Sequence, residues 1–577
     1  MINVPVAFIF ILGAFLVPLL RGNVRKAYLL LLPLVGFVDL INMPRGTGFV
    51  MDFIGLDLIL GRVDNLSMVF GYVFVIMAFI GNLYALHVKE SGQHVAAMLY
   101  VGGSLGVVFA GDYLSLFIFW ELMAISSVWL IWYRGTKISL NAGFRYLLVH
   151  VFGGVCLLSG ILLLFNSTGS ILFEQMDVRH LNVASYLILI GFMLNAAVPP
   201  LHAWLTDAYP EATVTGIIFL SAFTTKTAIY VLLRAFPGTE ALIWIGAIMA
   251  VYGVVFAVLE NDIRRLLSYH IISQVGYMVS GVGLGTMMAV NGSASHAFTH
   301  ILYKGLLMMG AGAVIYTTGK SKLTELGGLH KKMPVTLILY MIGGFSISAF
   351  PFFSGFVSKS MVIAAAAGEH MAFVWLMLTL ASAGTFLHTG LKLPYFTFFG
   401  KDSGINAREP PKNMLLAMGI AAFLSIFIGV YPQSLYNILP YSVDFAPYTA
   451  GHIVGTLQIL LFTALGFFLL LKQVKGTPTI TLDADWLYRK GAGWFVWIVN
   501  NPLADVGNMV TRVALNFFTA LLWFSRNPVA AMKIIVGMEK RDRYPDIPQH
   551  LEVVSSNAVF VLIFLSICII FLLGGGQ

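Results

Sequence analysis

Ionisable side chains stand in this sequence where water is scarce: Glu121 and Lys226 in one half, and His270, His296, His300, Lys304, Lys359 and Lys392 in the other, all within apolar stretches. A charge at the centre of a membrane helix costs about 2.5–3.5 kcal/mol on insertion scales, so such residues persist where they have partners, water or a task. The task that suits this mixture is the carriage of protons or small cations. Histidine changes charge near neutrality, and a lysine takes up or releases a proton as an opposite charge approaches or withdraws. The segment from Ser295 to Lys304 sets His296, His300 and Lys304 four residues apart, along one face of a helix. Two histidines at that spacing can ligate zinc, but the lysine continuing the row and the lack of a glutamate between them favour a proton wire over a metal site.

Each of these residues also has a plainer reading. Glu121, in Phe119-Trp120-Glu121, is either the partner of Lys226 or a carboxylate that ties two helices together. Lys226 lies among the hydroxyls of Thr224, Thr225 and Thr227, which can solvate it. Lys359 follows a proline and either loads a proton from one aqueous side or snorkels from a helix end towards the interface. His202 is a relay or a loop-end histidine. The glycines at 281, 283 and 285 lie within an apolar run and read as helix packing, not a nucleotide loop. With no catalytic triad, flavin motif or quinone signature, neither cofactor nor metal is expected.

The elements that must hold these residues are membrane helices. A chain of 577 residues that is 59% hydrophobic and 10% charged cannot bury its apolar surface in one soluble core. Apolar runs long enough to cross about 30 Å of hydrocarbon recur about sixteen times, the first near 5–20 and the last near 557–574. The start of the chain reads as a retained first helix, since no basic region precedes its apolar run. Cys156 and Cys568 both sit in apolar stretches, which argues against disulfides, zinc and iron–sulfur clusters. The net charge of +8 is read as topology, not nucleic-acid binding. Basic residues follow the odd-numbered spans, among them Arg21, Arg134, Arg264, Lys320 and Lys472, which sets the N-terminus outside the cytoplasm.

Two spans carry proline in their interiors, the seventh (186–206) at Pro199 and Pro200 and the twelfth (335–366) at Pro351, so both are expected to break within the membrane. Broken helices five spans apart suggest a repeat. The intervals along Glu121, His150, Asn195 and Lys226 are 29, 45 and 31 residues, and those along His270, His300, Lys359 and Lys392 are 30, 59 and 33. An odd number of spans per unit inverts the second copy relative to the first. The expected division is helices 1–3 over 1–94, a first repeat over 95–235, a second over 236–400, helices 14–15 over 401–475, and an amphipathic extension with a last span over 476–577.

Certain segments resemble a known family, the antiporter-like membrane subunits shared by Mrp-type multisubunit Na+/H+ antiporters, respiratory complex I and membrane-bound hydrogenases. They are Phe119-Trp120-Glu121, Pro200-Leu201-His202-Ala203-Trp204-Leu205 with Asp207, residues 266–277, His296 to Lys304, and Phe350-Pro351 through Gly355 to Lys359. The stretch around Lys226 most resembles the D-type Mrp subunit. The resemblance implies an all-α polytopic protein with two inverted five-helix repeats, broken seventh and twelfth helices, and Glu121, Lys226 and Lys359 as the charged residues of helices five, eight and twelve. In the seventh helix the family usually has a lysine before its proline segment, and this chain has Asn195, which cannot titrate. The tail resembles the extension of the largest antiporter-like subunit of complex I, where a helix lies along the membrane; a simple interfacial helix is the alternative.

The function this implies is proton translocation by one subunit of a larger complex in the cell (inner) membrane, with monovalent cation (Na+)/H+ antiport of the Mrp D type first. A proton-pumping subunit of a complex I-like NADH:quinone oxidoreductase or membrane-bound hydrogenase is the second reading, with no redox chemistry in this chain. A scaffold or partner of another transporter is the third. The partners expected are other membrane subunits, lipid, protons and, in the antiporter reading, Na+.

Overall fold

The computed structural model describes residues 4–477 and 483–540. The expected span at 557–574 lies outside the described residues, as does Cys568. The chain divides into two units, Met1–Asp485 and Trp486–Gln577.

The first unit runs α1 Val6–Leu16, α2 Gly22–Asn42, β1 Gly46–Phe53, β2 Leu56–Val63, α3 Asn65–Ala85, α4 Ser91–Phe109, α5 Tyr113–Trp132, α6 Lys137–Thr168, α7 Val183–Asn195, α8 Ala203–Ala208, α9 Gly216–Ala222 and α10 Thr224–Ala235. It continues with α11 Glu240–Leu259, α12 Ile263–Leu284, α13 Met287–Thr318, α14 Pro334–Ile347, α15 Ser354–Gly368, α16 Ala372–Thr385, α17 Lys412–Val430, α18 Gln433–Tyr436, α19 Ala450–Leu469 and α20 Leu471–Val474. Among the described residues, 10 helices are long and apolar enough to cross a membrane, and Val6–Leu19, Val183–Asn195 and Pro334–Ile347 are shorter apolar helices. Helix α12 is long enough but too polar to join the ten; its Ser268, His270, Ser273 and Gln274 are all buried. Helix α13 and the α9–α10 pair form the centre and are buried almost throughout, whereas α19 lies at the periphery.

Local chemistry fixes the helix ends. Asp112 caps α5 by accepting from the Ser115 amide at 2.7 Å, and Asp262 caps α12 by accepting from the Arg264 and Arg265 amides. Helices α6 and α13 are each 32 residues long, start after Thr136 and Thr286, and stop at left-handed Gly169 and Gly319. Isolated bridges join Asp112 to Leu172 and Asp262 to Lys322. Every member of the second set follows its counterpart by 150 residues (136 to 286, 169 to 319, 112 to 262, 172 to 322).

The seventh and twelfth spans break where the prolines stand. Residues 196–202 separate α7 from α8, and residues 348–353 separate α14 from α15. Ala197 and Ala349 both take the left-handed region inside these breaks, at φ 56° and 57°. Two features were not expected from the apolar runs. One is the antiparallel hairpin β1–β2, turning at Ile54-Gly55. The other is a third break, at Phe223, which divides the eighth span into α9 and α10.

The second unit, as far as it is described, comprises α21 from Asp485 to Ile498, a π-helical turn Val499–Leu503 containing Pro502, α22 Ala504–Arg526 and α23 Pro528–Ile535. Helix α22 corresponds to the expected amphipathic stretch, with Val506, Met509, Val510, Val513 and Phe517 at helical spacing.

Candidate functional site

The break at Phe223 is held open by two tyrosines from other helices. The Thr224 amide, which in a continuous helix would donate to the Leu220 carbonyl, donates instead to Tyr100 Oη at 2.9 Å. The Leu220 carbonyl accepts from Tyr209 Oη at 2.7 Å. Another carbonyl freed by the interruption, that of Ser221, receives Lys226 Nζ at 2.6 Å, and Thr225 Oγ1 takes the same ammonium at 3.1 Å. Lys226 is fully buried. The expected Glu121–Lys226 contact is therefore absent: the ammonium is satisfied by backbone and hydroxyl oxygens beside it.

Glu121 lies against α6. A Cβ on Gly154 would stand 2.1 Å from Glu121 Oε1, so the glycine makes the room the carboxylate occupies. One turn earlier on α6, His150 lies beside Asn195 of α7, packed on Tyr146 and Trp204 with ring centroids at 4.1 and 4.6 Å. Among the described residues, Glu121 Oε1, both ring nitrogens of His150 and both amide atoms of Asn195 are buried without a hydrogen bond of good geometry. Such atoms call for water or an ion in the working protein.

The second half holds a denser row. Lys304 Nζ donates to His270 Nδ1 at 3.3 Å, across α13 and α12. The His270 ring meets the His388 ring at 5.0 Å between centroids. His388 and Lys392 lie on a π-helical continuation of α16, Phe386–Lys392. Lys392 Nζ donates to the carbonyls of Val258 and Glu260, the latter at 2.9 Å. In the other direction His300 and His296 sit 6.0 Å apart, and Tyr277 stands 5.8 Å from His296. Lys359 Nζ lies 5.6 Å from the centre of the Tyr277 ring and donates to the Ile347 carbonyl at 3.1 Å.

Lys359 is thus buried and turned inward, which removes the snorkelling reading. Asn195 ends α7 and Ile347 ends α14, so the Lys359 ammonium reaches across its break to the position that Asn195 holds in the first half. A cavity of about 440 Å³, lined by Ser360, Ile363, Trp375 and His452 among others, leads to Lys359. Helix α10, which carries Lys226, packs against α13, which carries His300 and Lys304.

Two residues of this region were not singled out from sequence. His388 repeats with Lys392 the four-residue step of His300 and Lys304, and that spacing was the available signal. Asp483 had none. Its carboxylate, from the segment after α20, accepts from His202 Nε2 at 3.1 and 3.2 Å and from the hydroxyls of Tyr252 and Tyr269. Burial pushes this carboxyl up, but the hydrogen bonds from His202 and the two phenols outweigh it and hold it below the usual carboxylate range. His202, the last residue of the break between α7 and α8, is buried against this carboxylate. Among the described residues no group of three or more His, Cys, Asp or Glu could hold a metal ion.

A helical bundle with interrupted spans and buried lysines and histidines defines an integral membrane protein. The chain belongs to the family described as "NADH:quinone oxidoreductase/Mrp antiporter, TM", which residues 110–385 match. It is 31% identical over 359 residues to the D-type subunit of the Na(+)/H(+) antiporter of Alkalihalophilus pseudofirmus, covering 58% of this chain and 72% of that one. It is 29% identical over 494 residues to the A-type subunit of the same antiporter, covering 74% of this chain but 60% of the length of that relative. Its fold is that of a chain in the membrane-bound sulfane sulfur reductase, an archaeal respiratory membrane complex, with a TM-score of 0.72, 21% identity and 99% of both chains covered.

Proposed function

We propose that this chain is an ion-translocating subunit of a multisubunit membrane complex, carrying protons and exchanging them for Na+ in the manner of an Mrp-type antiporter. The observation that carries the reading is the row of buried bases in the second half, in which the His388 ring packs on His270, Lys304 donates to His270 and the His300 ring lies beside that of His296. Lys304 donating to His270 Nδ1 requires that nitrogen to accept, so one proton is shared between two bases and is free to move along the file. In this reading Glu121, Lys226, His270, His296, His300, Lys304, Lys359 and Lys392 form the pathway, in two inverted repeats over 95–235 and 236–400, in the cell (inner) membrane with the N-terminus outside the cytoplasm.

A second reading, a proton-pumping subunit of a redox-driven complex, is favoured by one observation: the match to the sulfane sulfur reductase chain runs over 99% of both chains, extension included. The experiment that separates them is to tag the chain, extract it gently from its native membrane, and record what co-purifies with the visible absorption spectrum. A colourless assembly of small membrane subunits that exchanges Na+ for protons in vesicles supports the antiporter. Iron–sulfur or flavin absorption with soluble partners supports the redox-driven pump.

A further inference from the structure

Asp483 stands outside the helices, just before the chain enters α21, yet its side chain is wholly shielded from solvent. It meets three elements at once. His202 comes from the break between α7 and α8, Tyr252 from α11 and Tyr269 from α12, so one carboxylate is bound by both repeats. The imidazole is clamped further by the Tyr252 ring, edge-on at 4.9 Å and 80°. Tyr252 packs on Phe256, and Phe256 on Tyr269, closing an aromatic wall around the carboxylate. Among the described residues, the other ring nitrogen of His202, Nδ1, is buried without a hydrogen-bond partner.

An ionised carboxylate accepts and does not donate, so Nε2 of His202 must carry the hydrogen in this contact. That fixes the tautomer and leaves a lone pair on Nδ1, as a carboxylate does for a histidine in metal sites and hydrolytic triads. We propose that Asp483 is a positioning residue for proton transfer, holding His202 with Nε2–H on the carboxylate and Nδ1 open to accept a proton at the break of the seventh span. The proton taken up at Nδ1 forms an imidazolium whose charge Asp483 balances, and it leaves from the same nitrogen; the Nε2–H stays on the carboxylate throughout. The first repeat thereby gains a proton-accepting group that Asn195 does not supply. The segment leading into α21 becomes part of the pathway and not only an anchor.

This inference rests on the ion-carrying role proposed above, and the test separates the two. In the intact complex, in everted vesicles, Asp483→Asn keeps the shape but can donate to Nε2 and present the wrong tautomer. The turnover number of Na+-driven proton movement is expected to fall at least about tenfold, less than the roughly 100-fold or more carried by a group that itself transfers the proton because Asp483 acts through His202, with the Na+ KM unchanged and the complex assembled. Asp483→Glu is expected to recover most of the rate, and Asp483→Asn with His202→Gln is expected to be no slower than the slower single variant. A wild-type rate in Asp483→Asn, multiplied losses in the double variant, or rates that merely track the amount of assembled complex would overturn the proposal. Should the wild-type complex move no ions, the proposed function fails on its own. The ¹⁵N spectrum of histidine-labelled complex, with His202 assigned by subtracting His202→Gln, then decides the contact: an Nε2–H tautomer lost in Asp483→Asn supports it, and an unchanged tautomer refutes it.

Discussion

Residues 95–235 carry Glu121 on α5, set against α6, with His150 beside Asn195 and a lysine whose ammonium is absorbed by Ser221 and Thr225. Residues 236–400, built on elements that recur 150 residues later (136 to 286, 169 to 319), carry lysines and histidines that meet one another. The same scaffold thus holds charge in two ways. In the second half neighbouring bases cannot all be protonated at once, which in the proposed reading lets them share protons. In the first half Glu121 faces groups that bear no fixed charge, and proton movement there depends on what enters the space around it.

The sharpest way to break this contrast is to remove a base from the file. Lys359→Ala and Lys304→Met are each expected to lower exchange by about 100-fold or more, within the range that positioned acid–base groups contribute. Fluorescence dequenching in everted vesicles, normalised to assembled complex, measures it, and near-wild-type rates would put the conducting path elsewhere. Lys226→Ala comes next. It stands on α10, which packs against the helix of His300 and Lys304, and its loss is expected to cost about tenfold or more while the complex stays assembled. A loss equal to that of Lys359→Ala would make the two halves one serial path.

How much of this could be read in the sequence depended on whether the cause was local. Pro199, Pro200 and Pro351 announced two breaks because proline withdraws a donor from its own helix. The break at Phe223 was illegible because its cause lies in Tyr100 and Tyr209, whose hydroxyls replace a bond that the sequence around 220–224 gives no reason to lose. The hairpin at 46–63 escaped for a related reason. Its turn puts Ile54 and Gly55 at positive φ, where Asn-Gly or Asp-Gly would have signalled it, and a β-branched residue there is an unusual choice. The row His296, His300, Lys304 was legible from helical spacing alone, whereas Lys304 meeting His270 required the packing of α13 on α12. Asp483 binds a histidine 281 residues away, and no local pattern carries such information.

The contrast between the halves sharpens if the first can be given the charge it lacks. Asn195→Lys sets an ammonium next to His150, one turn along α6 from the Glu121 carboxylate. A charge-assisted bond to a buried carboxylate contributes about 1.5–3 kcal/mol, so the complex is expected to melt higher, and Glu121→Gln is expected to cancel the gain. Thermal unfolding of the purified complex in both backgrounds measures it. A rise that survives Glu121→Gln would mean that the lysine pairs elsewhere and that the halves differ by more than one charge.

The smallest effect concerns the break that exposes the Ser221 carbonyl to Lys226. Tyr209→Phe leaves the Leu220 carbonyl without its donor, and Tyr100→Phe leaves the Thr224 amide without its acceptor; each is expected to cost about 1–3 kcal/mol, the penalty of a buried unpaired group. The two orphaned groups are the donor and acceptor that an uninterrupted helix would join. In the double variant they can find each other, so its cost is expected to fall below the sum of the single costs by about 0.5–1.5 kcal/mol, one net hydrogen bond. Closing the helix also draws the Ser221 carbonyl back into the ladder and away from Lys226, so exchange should fall in the double variant even as stability recovers. Additive costs with unchanged exchange would show instead that the interruption belongs to the backbone around Phe223 and that the tyrosines only line it.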